Sequence, residues 1–145
     1  MTIDQIIAQV TALGGVLVLR PSPGDGSPEL SWGDVFFYYA PDGVVPRTQP
    51  FATIVTKDYP DDRGSRLDAA GRFRLNIEAR ELAGVADADP SAEDVLFPHP
   101  VYGGLGWVSV VAPAERTRAV VTDLLARAHD AARARLERRC AADQG

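Results

Sequence analysis

Phe97–Leu125, FPHPVYGGLGWVSVVAPAERTRAVVTDLL, carries a proline-framed histidine, a glycine-rich turn, a strand and the start of a long helix in one run. Pro98 and Pro100 fix the backbone around His99 and push Phe97 and His99 toward extended geometry, because a residue before proline is sterically kept out of the helical region. Gly103, Gly104 and Gly106 then let the chain take positive φ or approach another backbone closely. Trp107-Val108-Ser109-Val110-Val111 is β-branched and aromatic and predicts a strand. Pro113 suits a first helical turn, and Glu115 sits where the helix dipole favours an acid. Beyond them Val121, Leu124, Leu125, Ala128, Ala132 and Leu136 recur at helical spacing, with arginines around the rest, so the spacing predicts a helix lying on a sheet. His129-Asp130 falls on the surface of that helix in this reading.

Working outward to the N-terminus, Thr2 and Gln5 form a capping-box pattern, and Ile3, Ile6, Ile7, Val10 and Leu13 make an apolar stripe ending at Gly14-Gly15. Val16–Arg20 is a nearly all-apolar β-type run, and Pro21–Pro28, PSPGDGSP, is an exposed loop long enough to serve as a flap. Trp32–Ala40, WGDVFFYYA, places Val35, Phe37 and Tyr39 on one side of a strand and Asp34, Phe36 and Tyr38 on the other. Both sides are apolar or aromatic, so the second lines a groove, a partner contact or a loop-covered satellite cluster. Phe51–Tyr59 is a third strand candidate, with Thr53, Val55, Lys57 and Tyr59 on one face. Arg72–Ile77 alternates most cleanly: Phe73, Leu75 and Ile77 inward, Arg72, Arg74 and Asn76 outward. Residues 78 to 96 suggest short helical pieces broken near Gly84 and Pro90, with Ser91 as a cap.

The resulting fold class is α+β: a two-layer sandwich in one domain over residues 1–145, with an antiparallel sheet of about five strands, an N-terminal helix and a long C-terminal helix. At 145 residues a single domain buries a core without metal or disulfide support. The one cysteine, Cys140, cannot form an intrachain disulfide, and no apolar run approaches the roughly 20 residues of a membrane helix. A cytoplasmic protein with no membrane contact is expected, as a monomer or homodimer. Twenty acids against fifteen bases give a net charge of −5, which repels phosphate backbones and argues against a nucleic-acid partner. Arg133, Arg135, Arg138 and Arg139 cluster where they complement the negative end of a helix dipole.

Several segments resemble known families. HPVYGGLGW followed by VSVV and a terminal helix resembles the C-terminal half of MmcQ/YjbR-like proteins, sharply over about residues 97 to 110. TALGGVLVLRPSPGDGSPELSWGD, FFYYAPDG and QPFATIVTKDYP resemble an actinobacterial domain family of unknown function across nearly the whole chain. The first resemblance implies a compact sheet with flanking helices and, for some relatives, DNA binding, from which the acidic balance departs. Relatives in antibiotic-producing gene neighbourhoods imply small-molecule work.

Three readings compete for His99: catalyst, structural cap and direct contact with a ligand. As a catalyst it is a general base near neutral pH, oriented by Tyr102 or by an acid such as Asp34 or Asp58, giving a hydrolase- or lyase-type enzyme. As a structural residue it caps backbone groups in a rigid turn. Asp58, Asp61, Asp62 and Asp68 match no calcium loop, two histidines and one cysteine make a poor zinc set, and the glycine runs are neither dinucleotide nor P-loop fingerprints. No metal and no cofactor are expected. The third constellation is Trp32, Phe36, Tyr38, Lys57, Arg74, Asn76 and Trp107, with Tyr102, which together supply aromatic walls and sparse hydrogen bonds, the mixture of a small-molecule site. Small-molecule binding, in an accessory or self-protection role in specialised metabolism, is therefore the leading expectation, with an enzyme and a protein-interaction or DNA-binding module as alternatives.

Overall fold

Thr2 and Gln5 begin the first helix with a reciprocal cap: the Gln5 amide donates to the Thr2 hydroxyl at 3.1 Å, and the Thr2 amide donates to the Gln5 side chain at 3.0 Å. The computed structural model describes residues 1–80 and 85–144. Along it run α1 (Ile3–Thr11), β1 (Val16–Leu19), β2 (Val35–Tyr39), β3 (Ala52–Val55), β4 (Arg74–Glu78), β5 (Leu96–Pro98), β6 (Trp107–Val111) and α2 (Arg118–Gln144). The strands form one sheet in the order β1-β2-β3-β4-β6-β5, every neighbouring pair antiparallel. This is the expected α+β arrangement, with six strands where the sequence suggested about five.

The additional strand is β5, where the prolines predicted extended backbone at Phe97 without a strand being counted; only its Leu96 falls in the stretch expected to be helical. Among the described residues from 78 to 96 there is no helix; Gly84 lies outside them. The Ser91 cap expectation is replaced by a turn in which the Asp89 carboxylate accepts from the Ser91 amide and hydroxyl at 2.9 and 2.7 Å. Pro90 interrupts that stretch, and Phe97, extended as its following proline requires, gains full burial at the sheet edge.

One sheet face is covered by both helices. Val35, Phe37, Ala52, Ile54, Leu75, Ile77, Val108 and Val110 point inward against Ile6 and Val10 of α1 and Val121, Leu124, Leu125 and Ala128 of α2. Each large apolar side chain fully buried here contributes roughly 1.5–3 kcal/mol of transfer free energy, so this layer dominates stability. His129 belongs to it too: it is buried, not on the surface, donating from Nε2 to the Gly14 carbonyl at 2.7 Å and standing edge-on to Tyr39 and Phe51. The apolar stripe of α2 is one position wider than its hydrophobic residues alone indicate, because an imidazole with a satisfied N–H packs as a ring.

The start of α2 is held from a distance. Asp94, in a left-handed conformation (φ 57°), accepts from the amides of Ala114, Arg116 and Thr117 at 2.8 to 3.0 Å and from the Thr117 hydroxyl. Burial pushes this carboxyl up, but those donors outweigh it and hold its pKa at about 2.

The opposite face is covered over part of its area. Leu67, Phe97 and Val111 form a second, small cluster joined by Val55, Ala88 and Ala112. Arg72 ties the covering loops together, donating to the carbonyls of Arg66, Ser65 and Ser91 and to Glu93. The rest of that face is open.

Candidate functional site

The β5–β6 hairpin is closed by residues 99–106, and its geometry explains the glycines. Gly106 sits at φ +89°, and a Cβ there would lie 2.6 Å from the Arg80 Cα; one on Gly103 would lie 2.9 Å from the Pro98 Cβ. Only glycine fits these two positions without displacement, whereas Gly104 faces open space. The tight loop brings His99 back against the sheet, its amide donating to the Trp107 carbonyl at 3.0 Å and its carbonyl accepting from Gly103 at 2.8 Å. His99 ends 8% exposed. Its Nδ1 accepts from the amides of Val101 and Tyr102, both at 3.0 Å, so the ring does cap the turn. Tyr102 stacks obliquely on it at 4.9 Å between centroids, and Trp107 meets it edge-on at 6.5 Å.

Beside His99 lies the middle of β4. Arg74 and Asn76 do project away from the helix layer, as their parity requires, yet they are 2% and 1% exposed instead of facing water. A buried guanidinium must be paired, and its partner is Asp62, held bidentately: Nη1 reaches Oδ1 at 2.9 Å and Nη2 reaches Oδ2. Nη1 also donates to the Ser65 hydroxyl at 3.0 Å and Nε to the Asn76 Oδ1 at 2.8 Å. Asn76 in turn accepts from Ser109 at 2.7 Å and donates to Thr53 at 3.0 Å. Each side-chain nitrogen of Arg74 and both polar atoms of the Asn76 side chain thus have a partner. Burial pushes the Asp62 carboxyl up, but the hydrogen bonds and charge of Arg74 hold it below the usual carboxylate range. Burial, reinforced by Arg74, drives His99 down from 6.5 to about 4, so its ring is neutral at physiological pH.

A second polar knot sits at the far end of β3. Asp34 is fully buried; its Oδ1 accepts from the Thr56 amide and hydroxyl at 2.9 Å each and from Lys57 Nζ at 3.1 Å, and its Oδ2 accepts from the Tyr59 hydroxyl. Burial and that bond raise the Tyr59 phenol far above its ordinary value. Asp34 therefore does not orient His99. Asp58 does not either, since it accepts from the Leu67 amide at 2.8 Å. Backbone amides orient the imidazole, and Tyr102 contributes through its amide.

Between these elements the uncovered sheet face is hollowed into a cavity of about 440 Å³. Phe36, Tyr38, Tyr102 and Trp107 give it aromatic walls, and Arg74, Asp62 and His99 lie in its polar floor. Thr53, Val55 and Tyr59 continue the lining along β3, with Asp61 beside Asp62 and with Val101 and Leu105 on the hairpin loop. A family model described as "Family of unknown function (DUF6194)" matches residues 1–141. The chain belongs to this family. No curated protein and no solved structure matches it.

Of the residues singled out in this DUF6194 chain, the structure brings Phe36, Tyr38, Arg74, His99, Tyr102 and Trp107 to one cavity. Trp32 and Lys57 do not line it: Lys57 Nζ donates to the Trp32 carbonyl at 2.6 Å, and the Trp32 indole donates to Ser27 at 3.3 Å. Strand β3 ends at Val55, so the alternation that aimed Lys57 at the face does not extend to it. Asn76 lies in the layer with Arg74 without lining the cavity, and none of the Pro21–Pro28 loop contributes. Asp62 and Tyr59 were missed as site residues. The signal for Asp62 was Arg74 itself, because an arginine in a strand this apolar demands an acidic partner from a neighbouring loop. Asp58 and Asp68 bond backbone amides and Asp62 bonds Arg74, and among the described residues no group of histidines, cysteines or acids is placed to hold a metal ion. Nor is any described helix long and apolar enough to cross a membrane.

Proposed function

We propose that this DUF6194 domain binds a small molecule in the cavity on the uncovered sheet face. The observation that carries the reading is the pairing of four aromatic walls with a polar floor of Arg74, Asp62 and His99 inside about 440 Å³, a volume and composition suited to a ligand of drug-like size. The likeness of residues 97–110 to MmcQ/YjbR proteins, the accessory or self-protection role in specialised metabolism and a cytoplasmic setting belong to this proposal. DNA binding fits poorly with a net charge of −5 and with a site whose only arginine is neutralised by Asp62.

Acid–base catalysis by His99 is the rival reading for the same cavity. The ring geometry favours the binder: with Nδ1 occupied by two amides and the pKa near 4, the imidazole is a weak base at neutral pH. A fragment screen read by protein-detected NMR tests the proposal. Hits are expected to shift Trp107, Tyr38 and Tyr102 together, and to lose those shifts in Tyr38→Glu without product formation in the wild type. Hits scattered over the surface would overturn it, and turnover abolished by His99→Ala with binding retained would replace it with the enzyme. Sizing chromatography of Tyr38→Glu separates both from a protein-interaction face, which predicts loss of a dimer.

A further inference from the structure

Three N–H donors converge on the His99 imidazole. The amides of Val101 and Tyr102 reach Nδ1 at 3.0 Å each, and Arg74 Nη2 lies 3.4 Å from Nε2. A neutral imidazole has one acceptor nitrogen and one N–H, so it cannot accept on both sides at once. The two short amide contacts claim the lone pair of Nδ1, and the ring proton is then on Nε2. Nε2–H and Arg74 Nη2–H therefore face each other with no acceptor between them, on a ring that is 8% exposed and lines the cavity. Arg74 has spent its other donors on Asp62, Ser65 and Asn76, so the surplus is confined to this one spot. A buried donor without an acceptor is costly, and an oxygen placed beside the pair relieves two at once.

The charge of the oxygen follows from the same inventory. Arg74 is already neutralised by Asp62, His99 is uncharged in this tautomer, and the Asp61 carboxylate also lines the cavity. Among the described residues lining the cavity, a carboxylate or phosphate ligand would meet two acids and no unpaired cation. Resting on the binding reading above, we infer that the ligand is a neutral, flat, largely apolar molecule anchored by a carbonyl-type oxygen that accepts from His99 Nε2–H and Arg74 Nη2–H while its ring system lies against Trp107 and Tyr38. His99 is then a specificity-determining donor, and its Nδ1 contacts are what hold that donor in place.

A matched set of naphthalenes tests this: 2-acetonaphthone, 2-ethylnaphthalene, 2-naphthoate and 2-naphthylmethylammonium, titrated against the wild type and His99→Asn. Asparagine keeps an acceptor at the position of Nδ1 and so preserves the turn, but has nothing at Nε2. The ketone is expected to bind roughly five- to tenfold tighter than the hydrocarbon and the carboxylate, with the His99 ring nitrogen resonances shifting only for the ketone, and His99→Asn should erase the ketone's advantage while leaving the hydrocarbon unchanged. Equal affinity of ketone and hydrocarbon, tightest binding by the carboxylate or the ammonium, or a ketone preference that survives in His99→Asn overturns the inference while the cavity stands as a binding site. Failure of all four to shift Trp107 or Tyr38 at millimolar concentration overturns the binding reading, and the inference with it. The ring resonances are read in the wild type, so the outcome does not depend on the variant folding.

Discussion

The two faces of the sheet each bury one histidine, and they do so in opposite ways. On the helix-covered face His129 is edge-on to two rings and donates from Nε2 to the Gly14 carbonyl, as part of the core. On the open face His99 is nearly as buried, but it sits among an ion pair and a polar ladder, and its second nitrogen confronts another donor. The covered face is stabilised chiefly by apolar area, whereas the open face buries Arg74, Asp62, Asn76 and Ser109, whose mutual hydrogen bonds are needed to offset their desolvation. The first arrangement stabilises through burial, and the second adds buried charge whose desolvation its own hydrogen bonds must offset.

The sharpest way to break this contrast is to cut the ion pair. Asp62→Ala leaves the Arg74 guanidinium, 2% exposed, without its counterion, and an uncompensated buried charge is expected to cost about 3–5 kcal/mol. Urea denaturation measures it, and a loss below about 1 kcal/mol would mean that water already reaches Arg74. On the covered face Leu125→Ala is expected to cost about 3 kcal/mol from lost burial and the cavity left behind. The two substitutions differ in signature. The first should be sensitive to salt and pH and the second to neither, so matching salt dependences would erase the distinction between the faces.

Acid tests the open face next. In the folded protein His99 takes a proton only near pH 4, against 6.5 when unfolded, so between those values unfolding takes up a proton. Stability is therefore whole above about pH 6.5 and falls as pH drops toward 4, by on the order of 3 kcal/mol in total. Asp94, held at about 2, adds a later loss that begins below its ordinary value of 3.8. Denaturation midpoints across pH should show the upper window flattened in His99→Asn and the lower one unchanged. An upper window of the same depth in that variant would assign it to other groups.

Much of the covered face was legible in the sequence, because its two faces and two helices follow hydrophobic period. The parity of Val35, Phe37, Leu75 and Ile77 and the stripe of Val121, Leu124 and Leu125 are all where spacing puts them. The open face was legible only in its direction. Parity sent Arg74 and Asn76 to that side, but whether they meet water depends on the loops over residues 59–72 and 85–95, whose placement no periodicity encodes. The same limit explains Lys57, which shares a strand-like alternation with Thr53 and Val55 but lies beyond the last paired residue. It also explains β5, a three-residue edge strand whose extended backbone was legible but whose pairing was not, and Asp94, whose capping of α2 from 20 or more residues away leaves no local trace.

The smallest test asks whether the polar floor acts as a unit. Ser109 donates to Asn76 Oδ1 at 2.7 Å, and Asn76 donates from Nδ2 to Thr53 at 3.0 Å, so the two hydroxyls grip opposite ends of one amide. Ser109→Ala removes a bond but leaves Oδ1 with the Arg74 Nε donor, so about 1 kcal/mol is expected, and Thr53→Ala should cost a similar amount. If the floor is a rigid network, the first cut frees the amide to turn and the second then matters less, giving a double mutant at least about 0.5 kcal/mol less destabilised than the sum. Strict additivity would mean that Asn76 is held by Arg74 alone. The floor would then be an ion pair with bystanders, and the rigidity that aims the His99 N–H into the cavity would have to come from the hairpin loop.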